Sequence, residues 1–405
     1  MRRTTLGRGT VPVTGLSFGA AGIGNLYTAV APGDAAAAVD AAWEAGIRYF
    51  DTAPHYGLGL SERRLGEALR ARDRAAYAVS TKVGRLLEPV AGGPYGDDLG
   101  HGFAVPATHR RVWDFSADGV LRSVEQSLVR LGLDRIDIVY LHDPDDHAEQ
   151  ALREAYPALE RLRAEGVVGA VGAGMNRPEP LTRVLRETDA DVVLCAGRFT
   201  LLDRSALTEL LPVAAARGRS VVVGGVFNSG LLADPRPGAR YDYAAAPPEL
   251  LDRARRMDAV SRRYGVPLRA AALHYPLRHP AVASVLVGAR SAAEVRDAAR
   301  LAAGTVPDDL WAELRAEGLL TDDMAWAGTP AREADPAREA DAAAGTEGSA
   351  GTGGPAGAGG VPRADGVARA EGVARAEGGA PAGSGAGLPP TGNGAGRPSG
   401  NGAGR

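Results

Sequence analysis

Four side chains suited to moving a proton occur at conspicuous places in this chain. Asp51, Lys82 and His142 each lie at or near the end of a short apolar run, and the next apolar run begins only after a helical stretch. Tyr56 follows Asp51 by five residues, in a turn bounded by proline and glycine. An acid, an amine, an imidazole and a phenol brought together are suited to proton transfer to a substrate oxygen.

The chemistry of each group predicts a role for it. A phenol has a pKa of about 10, too high for a base at neutral pH, and a neighbouring ammonium lowers that pKa. We therefore predict that Lys82 activates Tyr56 and that Asp51 holds Lys82 in place. His142 is predicted to orient or polarise the substrate oxygen.

Lys82 is also conspicuous by composition. The chain has 46 lysines and arginines, and Lys82 is the single lysine among them. Chance would explain why one lysine is retained. A position where a planar guanidinium cannot replace a compact ammonium would also explain it. The second interpretation agrees with the proposed role of Lys82.

Competing interpretations exist for these residues. Taken alone, an aspartate at a strand end is often a turn former and a tyrosine after Pro-His often packs at the surface. His55, His142 and His147, with the acidic run from Asp143 to Asp146, raise the alternative of a metal site. Because this run contains a proline and is typical of a capped turn, we predict no metal.

The elements that position these residues alternate along the chain. From Leu16 to about Leu301, eight short apolar runs are each followed by an amphipathic helical stretch. Eight such units predict an α/β fold, a closed (β/α)8 TIM barrel. An open doubly wound sheet is the alternative, but the glycines from Gly19 to Gly24 do not have the dinucleotide-binding spacing, so we interpret them as a mobile loop beside a ligand.

One long segment interrupts the alternation. Residues 85–115 show little periodicity and follow the third predicted strand at the end of the barrel where catalytic groups lie. We interpret them as a loop that either lines a pocket or is simply solvated. Its aromatic residues, Tyr95, Phe103, Trp113 and Phe115, are candidates for a pocket wall. We predict that Trp113 and His55 contact substrate.

Bulk composition excludes several classes of function. The net charge of −3 and the pI of about 6.2 give no reason to expect nucleic acid or an acidic membrane as a partner. No apolar run approaches the roughly 18 residues of a membrane helix. The single cysteine, Cys195, precludes an intrachain disulfide, so we expect a cytoplasmic protein.

The two parts of the chain differ in composition. We predict that residues 1–326 form the barrel, and a short helix is expected near Asp308–Glu317. Residues 327–405 are rich in Ala, Gly and Pro and contain no aromatic residue. Because such a segment buries too little apolar surface to offset its chain entropy, we predict a disordered tail.

The order and spacing of the four residues resemble the catalytic tetrad of the aldo-keto reductase superfamily. The motifs that carry this resemblance are Asp51–Gly57, Ser80–Gly84 and Asp137–Asp143, and the similarity extends from Leu16 to Trp311. It implies a TIM barrel that binds a nicotinamide cofactor, NADP or NAD, with Tyr56 as general acid and base. Three further stretches resemble the members that act on L-fucose and D-threo-aldoses: His55–Glu62, His142–His147 and Gly225–Leu231.

The resemblance also implies cofactor contacts. They are Asn176 after strand five, Phe227, Asn228, Ser229, Gly230 and Leu231 after strand seven, and Gly288, Ala289, Arg290, Glu294 and Asp297 after strand eight. The usual glutamine after strand six is replaced by Ala196, and the usual aromatic residue that stacks on the nicotinamide is replaced by Gly224, so Phe227 is the candidate to hold that end. Arg290 either grips a 2′-phosphate, which favours NADP, or is a surface charge.

The implied activity is oxidation of C1 of an aldose to a lactone by hydride transfer. Reduction of other aldehydes or ketones, or oxidation of pyridoxal, would use the same groups. A different class, a cofactor-binding regulatory subunit, also occurs in this superfamily. A small sugar or aldehyde is therefore the predicted partner, and the sequence does not specify the oligomeric state.

Overall fold

Eight parallel strands close into a barrel in the computed structural model, which describes residues 1–6, 9, 11–242 and 244–321. Each strand pairs with the strands that precede and follow it in the chain, and the last pairs with the first. The predicted TIM barrel is confirmed. The strands are β1 (Leu16–Gly19), β2 (Tyr49–Asp51), β3 (Ala78–Val83), β4 (Ile138–His142), β5 (Ala170–Met175), β6 (Val192–Ala196), β7 (Ser220–Gly224) and β8 (Val282–Gly288).

Helices follow the strands and cover the outside of the barrel. Their apolar faces and the outward-facing residues of the strands form one large core, in which Phe50 and Val139 are fully buried. A short helix at Ala148–Gln150 and a π-helical turn at Ala151–Ala155 precede the fourth crossover helix. The longer helices are α1 (Pro32–Glu44), α2 (Leu60–Leu69), α3 (Ala117–Leu131), α4 (Tyr156–Ala164), α5 (Pro178–Glu187), α6 (Leu210–Ala216), α7 (Pro248–Arg263), α8 (Leu268–His274), α9 (Ala292–Ala303) and α10 (Asp308–Ala316).

An N-terminal hairpin, which we did not predict, covers the end of the barrel where the strands begin. Its strands, Arg3–Leu6 and Val11–Thr14, pair antiparallel. Leu6 joins an apolar cluster inside the barrel that contains Ala78 and Ile138, the first residues of β3 and β4. The opposite end, where the strands finish, is therefore the one left to bind a ligand.

The segment 85–115, which we interpreted as a long loop, contains two β-hairpins. Strands Arg85–Pro89 and His109–Trp113 pair antiparallel, with Arg85 opposite Trp113. Beyond them, Asp97–Asp98 pairs with Phe103–Pro106. The hairpin formed by Arg85–Pro89 and His109–Trp113 thus begins next to the end of β3, at the predicted catalytic end of the barrel.

Two sequence predictions concern the remainder of the chain. The helix expected near Asp308–Glu317 is present as α10. In the part of the chain that the structure describes, no helix has the length and apolar character needed to cross a membrane. The predicted boundary at residue 326 and the predicted disordered tail lie outside the described residues.

Candidate active site

The ends of three neighbouring strands bring the predicted tetrad together. Asp51 ends β2, Lys82 is the last residue but one of β3, and His142 ends β4. The Lys82 ammonium lies 2.7 Å from Oδ2 of Asp51 and 4.7 Å from the centre of the Tyr56 ring. The Tyr56 and His142 rings are 5.9 Å apart and nearly perpendicular.

The Lys82–Asp51 ion pair is enclosed by the barrel. Both side chains are only 2% exposed. Lys82 also donates to the carbonyl of Thr52 at 3.0 Å, and Ser80 donates to Oδ1 of Asp51 at 2.6 Å. A buried ion pair is tolerated only when further hydrogen bonds satisfy its charges. Gly174 of β5 faces the lysine, and a Cβ there would lie 3.7 Å from Cε of Lys82, an ordinary van der Waals contact.

The charges of the site differ in one respect from the sequence prediction. Burial lowers the pKa of Lys82, but Asp51 and Tyr56 more than offset this, so its pKa is raised. Burial raises the pKa of Tyr56 to about 12, although the charge of Lys82 and a hydrogen bond with it act in the opposite direction. Lys82 therefore has the predicted effect on Tyr56, but desolvation is larger. The net pKa is higher, not lower, than that of a free tyrosine.

His142 is held as a neutral imidazole. Burial, followed by the charges of Arg85 and Lys82, lowers its pKa well below the usual value of 6.5. Its Nδ1 atom is buried and has no hydrogen-bond partner among the described residues. A buried polar atom without a partner is costly. Since less than 1 Å² of this atom is exposed, a substrate oxygen would reach it only if the ring or its neighbours moved.

His55 is fixed beside the tetrad by an arginine from the strand His109–Trp113. Its ring lies 5.7 Å from that of His142 and 5.2 Å from that of Phe103. Arg111 donates from Nε to Nδ1 of His55 at 2.5 Å, and it forms a buried ion pair with Asp98. Burial, with the charge of Arg85 next, lowers the pKa of His55 to about 2. Since Nδ1 accepts a hydrogen bond, the neutral ring carries its proton on Nε2.

Trp113 is connected to the tetrad through a second arginine. The Arg85 guanidinium lies 4.3 Å from the centre of the Trp113 ring and forms an ion pair with Asp143, the residue after His142. Asp143 has a positive φ of 42°, a strained conformation of the kind that clusters at functional sites. Trp113 is 44% exposed and stacks on the buried ring of Phe115.

The other two aromatic candidates for a pocket wall, Phe103 and Tyr95, differ sharply in solvent exposure. Phe103 is 2% exposed and lies 6.0 Å, ring to ring, from Tyr56, so it borders the site. Tyr95 is 69% exposed. Both interpretations of residues 85–115 therefore hold, because one part of the segment borders the tetrad and another part is solvated.

Sequence reasoning missed Arg85, Arg111 and Ser80. Lys82 is conspicuous because lysine is rare in this chain, whereas arginine is too abundant for Arg85 or Arg111 to stand out. Arg111 reaches His55 across 56 positions of sequence, and no local pattern predicts such a contact. Ser80 does offer a signal, since it lies two residues before Lys82 on the same strand and so faces the same side.

The segment after β7 has features that fit a flat ligand. A Cβ at Gly224 would be in ordinary van der Waals contact with Leu194 at 3.6 Å and with Ala196 at 3.8 Å. Phe227 is half-buried, and Asn228 and Ser229 both have left-handed backbone conformations. Oδ1 of Asn228 is buried and has no partner in the described chain, although its Nδ2 donates to Gly197. The assignment of Phe227 to the nicotinamide end of a cofactor stays a prediction.

Other predicted cofactor positions are also accessible at strand ends. Asn176, after β5, is half-buried, while Gly288 and Arg290, after β8, are exposed. Arg290 bonds to Glu294 through its backbone N–H at 2.7 Å, and its guanidinium lies 3.3 Å from the hydroxyl of Thr28.

Three predicted cofactor positions are engaged elsewhere. The side chains of Leu231 and Ala289 are buried in the core, so only their backbone is available. Asp297 is held by ion pairs with Arg269 and Arg300. Leu231 and Asp297 stay predictions, and Leu231 could contact a cofactor only through its backbone.

A TIM barrel with these four residues at the ends of β2, β3 and β4 defines a class of oxidoreductases. The model of the aldo/keto reductase family matches residues 15–317, and the chain belongs to that family. Members of the family are oxidoreductases that use nicotinamide cofactors and act on small aldehydes or sugars.

Two relatives and one solved structure are similar to this chain over most of their own length. The chain is 49% identical to a D-threo-aldose 1-dehydrogenase of Pseudomonas sp., over 75% of this chain and 93% of the relative. It is 42% identical to a pyridoxal 4-dehydrogenase of Microbacterium luteolum, over 79% and 98%. Among solved structures, the holo form of an aldo-keto reductase from Bacillus halodurans superposes with a TM-score of 0.61 at 28% identity, over 79% of this chain and 97% of that one.

Proposed function

We propose that this protein is an NAD(P)-dependent dehydrogenase that oxidises C1 of an aldose to a lactone. The observation that carries the proposal is the enclosed Lys82–Asp51 pair, 2.7 Å apart, beside the Tyr56 phenol. The similarity to a D-threo-aldose 1-dehydrogenase over 93% of that enzyme supports the choice of substrate class.

Each residue of the tetrad has a defined part in this reaction. Tyr56 accepts the proton of the C1 hydroxyl as the C1–O bond becomes a carbonyl. Lys82 stabilises the phenolate form of Tyr56, and Asp51 holds Lys82 in place. The cofactor, when bound, supplies the acceptor for the two electrons and the hydrogen that leave C1 as hydride.

His142 orients the substrate oxygen. Its imidazole is neutral, so it acts through a hydrogen bond and adds no positive charge to the site. A ring nitrogen makes that bond, since the two nitrogens are the polar atoms of an imidazole. His55 and Phe103 border the same space, and Trp113 contacts the substrate farther from C1.

The cofactor is assigned to the loops after β5, β7 and β8. Asn176 and Phe227–Gly230 hold the nicotinamide end and the pyrophosphate. Gly288–Arg290 and Glu294 hold the adenosine end. Arg290 is 48% exposed but pairs with Glu294, so a 2′-phosphate would compete with that carboxylate, and the screen includes both NADP and NAD.

The high pKa of Tyr56 gives the reaction a pH dependence. Because that pKa is raised to about 12, the phenol is protonated at neutral pH, which suits proton donation during carbonyl reduction. Oxidation needs the deprotonated form. We therefore expect the oxidation rate to rise from pH 7 to pH 10, within the range below that pKa.

Two alternatives use the same site. The 42% identity to a pyridoxal 4-dehydrogenase favours pyridoxal as the second candidate substrate, and general aldehyde reduction follows from the family. A cofactor-binding regulatory subunit is the non-enzymatic alternative. The intact tetrad argues against it. Cys195 is buried as a free thiol, which suits a reducing compartment such as the cytoplasm.

A substrate and cofactor screen tests the proposal. Purified protein is incubated with L-fucose, D-arabinose or pyridoxal and with NAD or NADP, and reduced cofactor is followed by absorbance. We expect the fastest turnover with an aldose, and Tyr56→Phe should abolish turnover while cofactor binding is retained. Faster pyridoxal oxidation would support the second candidate. Cofactor binding without turnover of any substrate would favour the regulatory subunit.

A further inference from the structure

A layer of hydroxyl groups lies inside the barrel directly beneath the tetrad. Alternate residues of a strand face the same side. Tyr49, Ser80 and Tyr140 each stand two residues before a tetrad member, Asp51, Lys82 and His142 respectively. All three are fully buried. Such layers in TIM barrels are usually filled by branched apolar side chains, so buried hydroxyls here require an explanation.

These hydroxyls form one continuous chain of hydrogen bonds that ends on the tetrad. The phenols of Tyr140 and Tyr49 are 3.0 Å apart, and the phenol of Tyr49 is 3.0 Å from Oγ of Ser80. Oγ of Ser80 is 2.6 Å from Oδ1 of Asp51. Asp51 uses its other oxygen, Oδ2, for the ion pair with Lys82.

The direction of every bond in this chain is determined by its end. A carboxylate only accepts, so Ser80 must donate its single proton to Asp51. Ser80 therefore accepts from Tyr49, and Tyr49 accepts from Tyr140. Burial raises the pKa of both phenols, which keeps each proton in place for donation. Aligned donors of this kind reinforce one another.

We propose that Ser80 is a positioning residue for the proton transfer, and that Tyr49 and Tyr140 support it from farther along the same chain of hydrogen bonds. By fixing Oδ1 of Asp51, the chain directs Oδ2 at Lys82, and Lys82 is thereby held beside Tyr56. This inference rests on the roles of Tyr56 and Lys82 proposed above. It assigns a function to three residues that touch neither substrate nor cofactor.

Single substitutions in the full-length protein test the chain link by link. A hydrogen bond to a charged group contributes more free energy than one between neutral groups. Its loss in Ser80→Ala should therefore lower kcat by about 10- to 100-fold with little change in KM. Tyr49→Phe, which leaves the Ser80–Asp51 bond in place, should lower it less, and Tyr140→Phe less again. Ser80→Thr keeps the hydroxyl and should restore most of the activity.

Ser17→Ala is the matched control. Ser17 is a fully buried hydroxyl on β1, and it bonds to Ser284 at 2.7 Å and not to Asp51. It stands two residues before Gly19, which pairs with Asp51, so it lies at the level of Tyr49. We expect this variant to lose stability as Ser80→Ala does, while its kcat stays within about two-fold of the wild type, as for a site outside the chain.

The single lysine gives a readout that needs no substrate. Protein labelled with 13C-lysine yields one Cε signal, which belongs to Lys82. Ser80→Ala and Tyr49→Phe should shift this signal, whereas Ser17→Ala should leave it unchanged. If Ser80→Ala fails to fold, Tyr49→Phe, which removes only an oxygen, carries the test.

The outcomes separate this inference from the proposed function. Equal effects of Ser80→Ala and Ser17→Ala on kcat and on the Lys82 signal would show that the hydroxyl chain is only structural, and the inference would be wrong. Retained turnover in Tyr56→Phe would instead refute the proposed tetrad chemistry. A shifted Lys82 signal in Ser80→Ala would still support the hydroxyl chain in that case.

Discussion

Replacing Lys82 by arginine is the most informative single change in the tetrad. The substitution keeps the positive charge, so it tests position and shape instead of charge. In the native protein the ammonium contacts Asp51 at 2.7 Å and the Thr52 carbonyl at 3.0 Å, inside a space where the side chain is only 2% exposed. The longer, planar guanidinium cannot occupy the same point.

The size of the effect follows from this geometry. A displacement of about 1 Å in a catalytic group costs on the order of 100-fold in rate. We therefore expect Lys82→Arg to lower kcat by at least about 100-fold, while the retained ion pair with Asp51 limits the loss of stability. Lys82→Met should cause a similar loss of kcat and also destabilise the fold by about 3 to 5 kcal/mol, because it leaves a buried carboxylate unpaired.

The assay compares turnover with unfolding. Reduced-cofactor absorbance gives kcat and KM, and urea titration gives the free energy of unfolding. Arg163→Lys is the control, since Arg163 forms a buried ion pair with Asp191 next to the beginning of β6, far from the tetrad. A Lys82→Arg variant with kcat within about 10-fold of the wild type would refute the argument that a compact cation is needed.

Three further predictions test other parts of the molecule. Arg111→Met should leave His55 without its donor and lower kcat/KM by about 10-fold or more, measured with the substrate that the screen identifies. Thermal stability should fall as the pH drops below 6.5. The pKa of His55 is lowered to about 2, so in this range the unfolded chain binds a proton that the folded chain does not. One such histidine contributes about 1.4 kcal/mol of unfolding free energy per pH unit, and His55→Asn should make the dependence of stability on pH less steep. A chain that ends at residue 326 should keep its melting temperature and kcat, because the family match ends at residue 317; a large loss of either would show that the remaining residues contribute to the barrel.

The fold could be read from the sequence because its signals are local. Buried parallel strands are short apolar runs, the helices between them are amphipathic, and eight repetitions leave few alternatives. The tetrad could be predicted for the same reason, since Asp51, Lys82 and His142 occupy strand ends that a closed barrel must place side by side.

What could not be predicted depends on contacts between distant residues. The hairpins of residues 85–115 pair Arg85 with Trp113, and nothing local to either residue indicates that register. The net pKa of Tyr56 depends on the balance between burial and the Lys82 charge, and a sequence shows the charge but not the burial. For the same reason, Arg111 could not be connected to His55 before the fold was known.

The buried carboxylates of the molecule explain why one lysine remains. In the described part of the chain, four carboxylate side chains are buried: Asp51, Glu62, Asp98 and Asp191. Three pair with arginine, and those arginine side chains, Arg130, Arg111 and Arg163, are 14%, 8% and 12% exposed. A guanidinium on a long stem can thus reach a buried acid while part of the side chain remains at the surface.

Asp51 differs from the other three because its partner lies inside the barrel. Lys82 is 2% exposed, and it must meet Asp51, the Thr52 carbonyl and Tyr56 at once from a single strand position. A compact ammonium can satisfy three partners in different directions, whereas a planar fork is suited to partners in one plane. Among the described residues, arginine thus pairs with the three buried carboxylates whose partners keep some exposure, and lysine pairs with the buried carboxylate whose partner is enclosed beside the phenol.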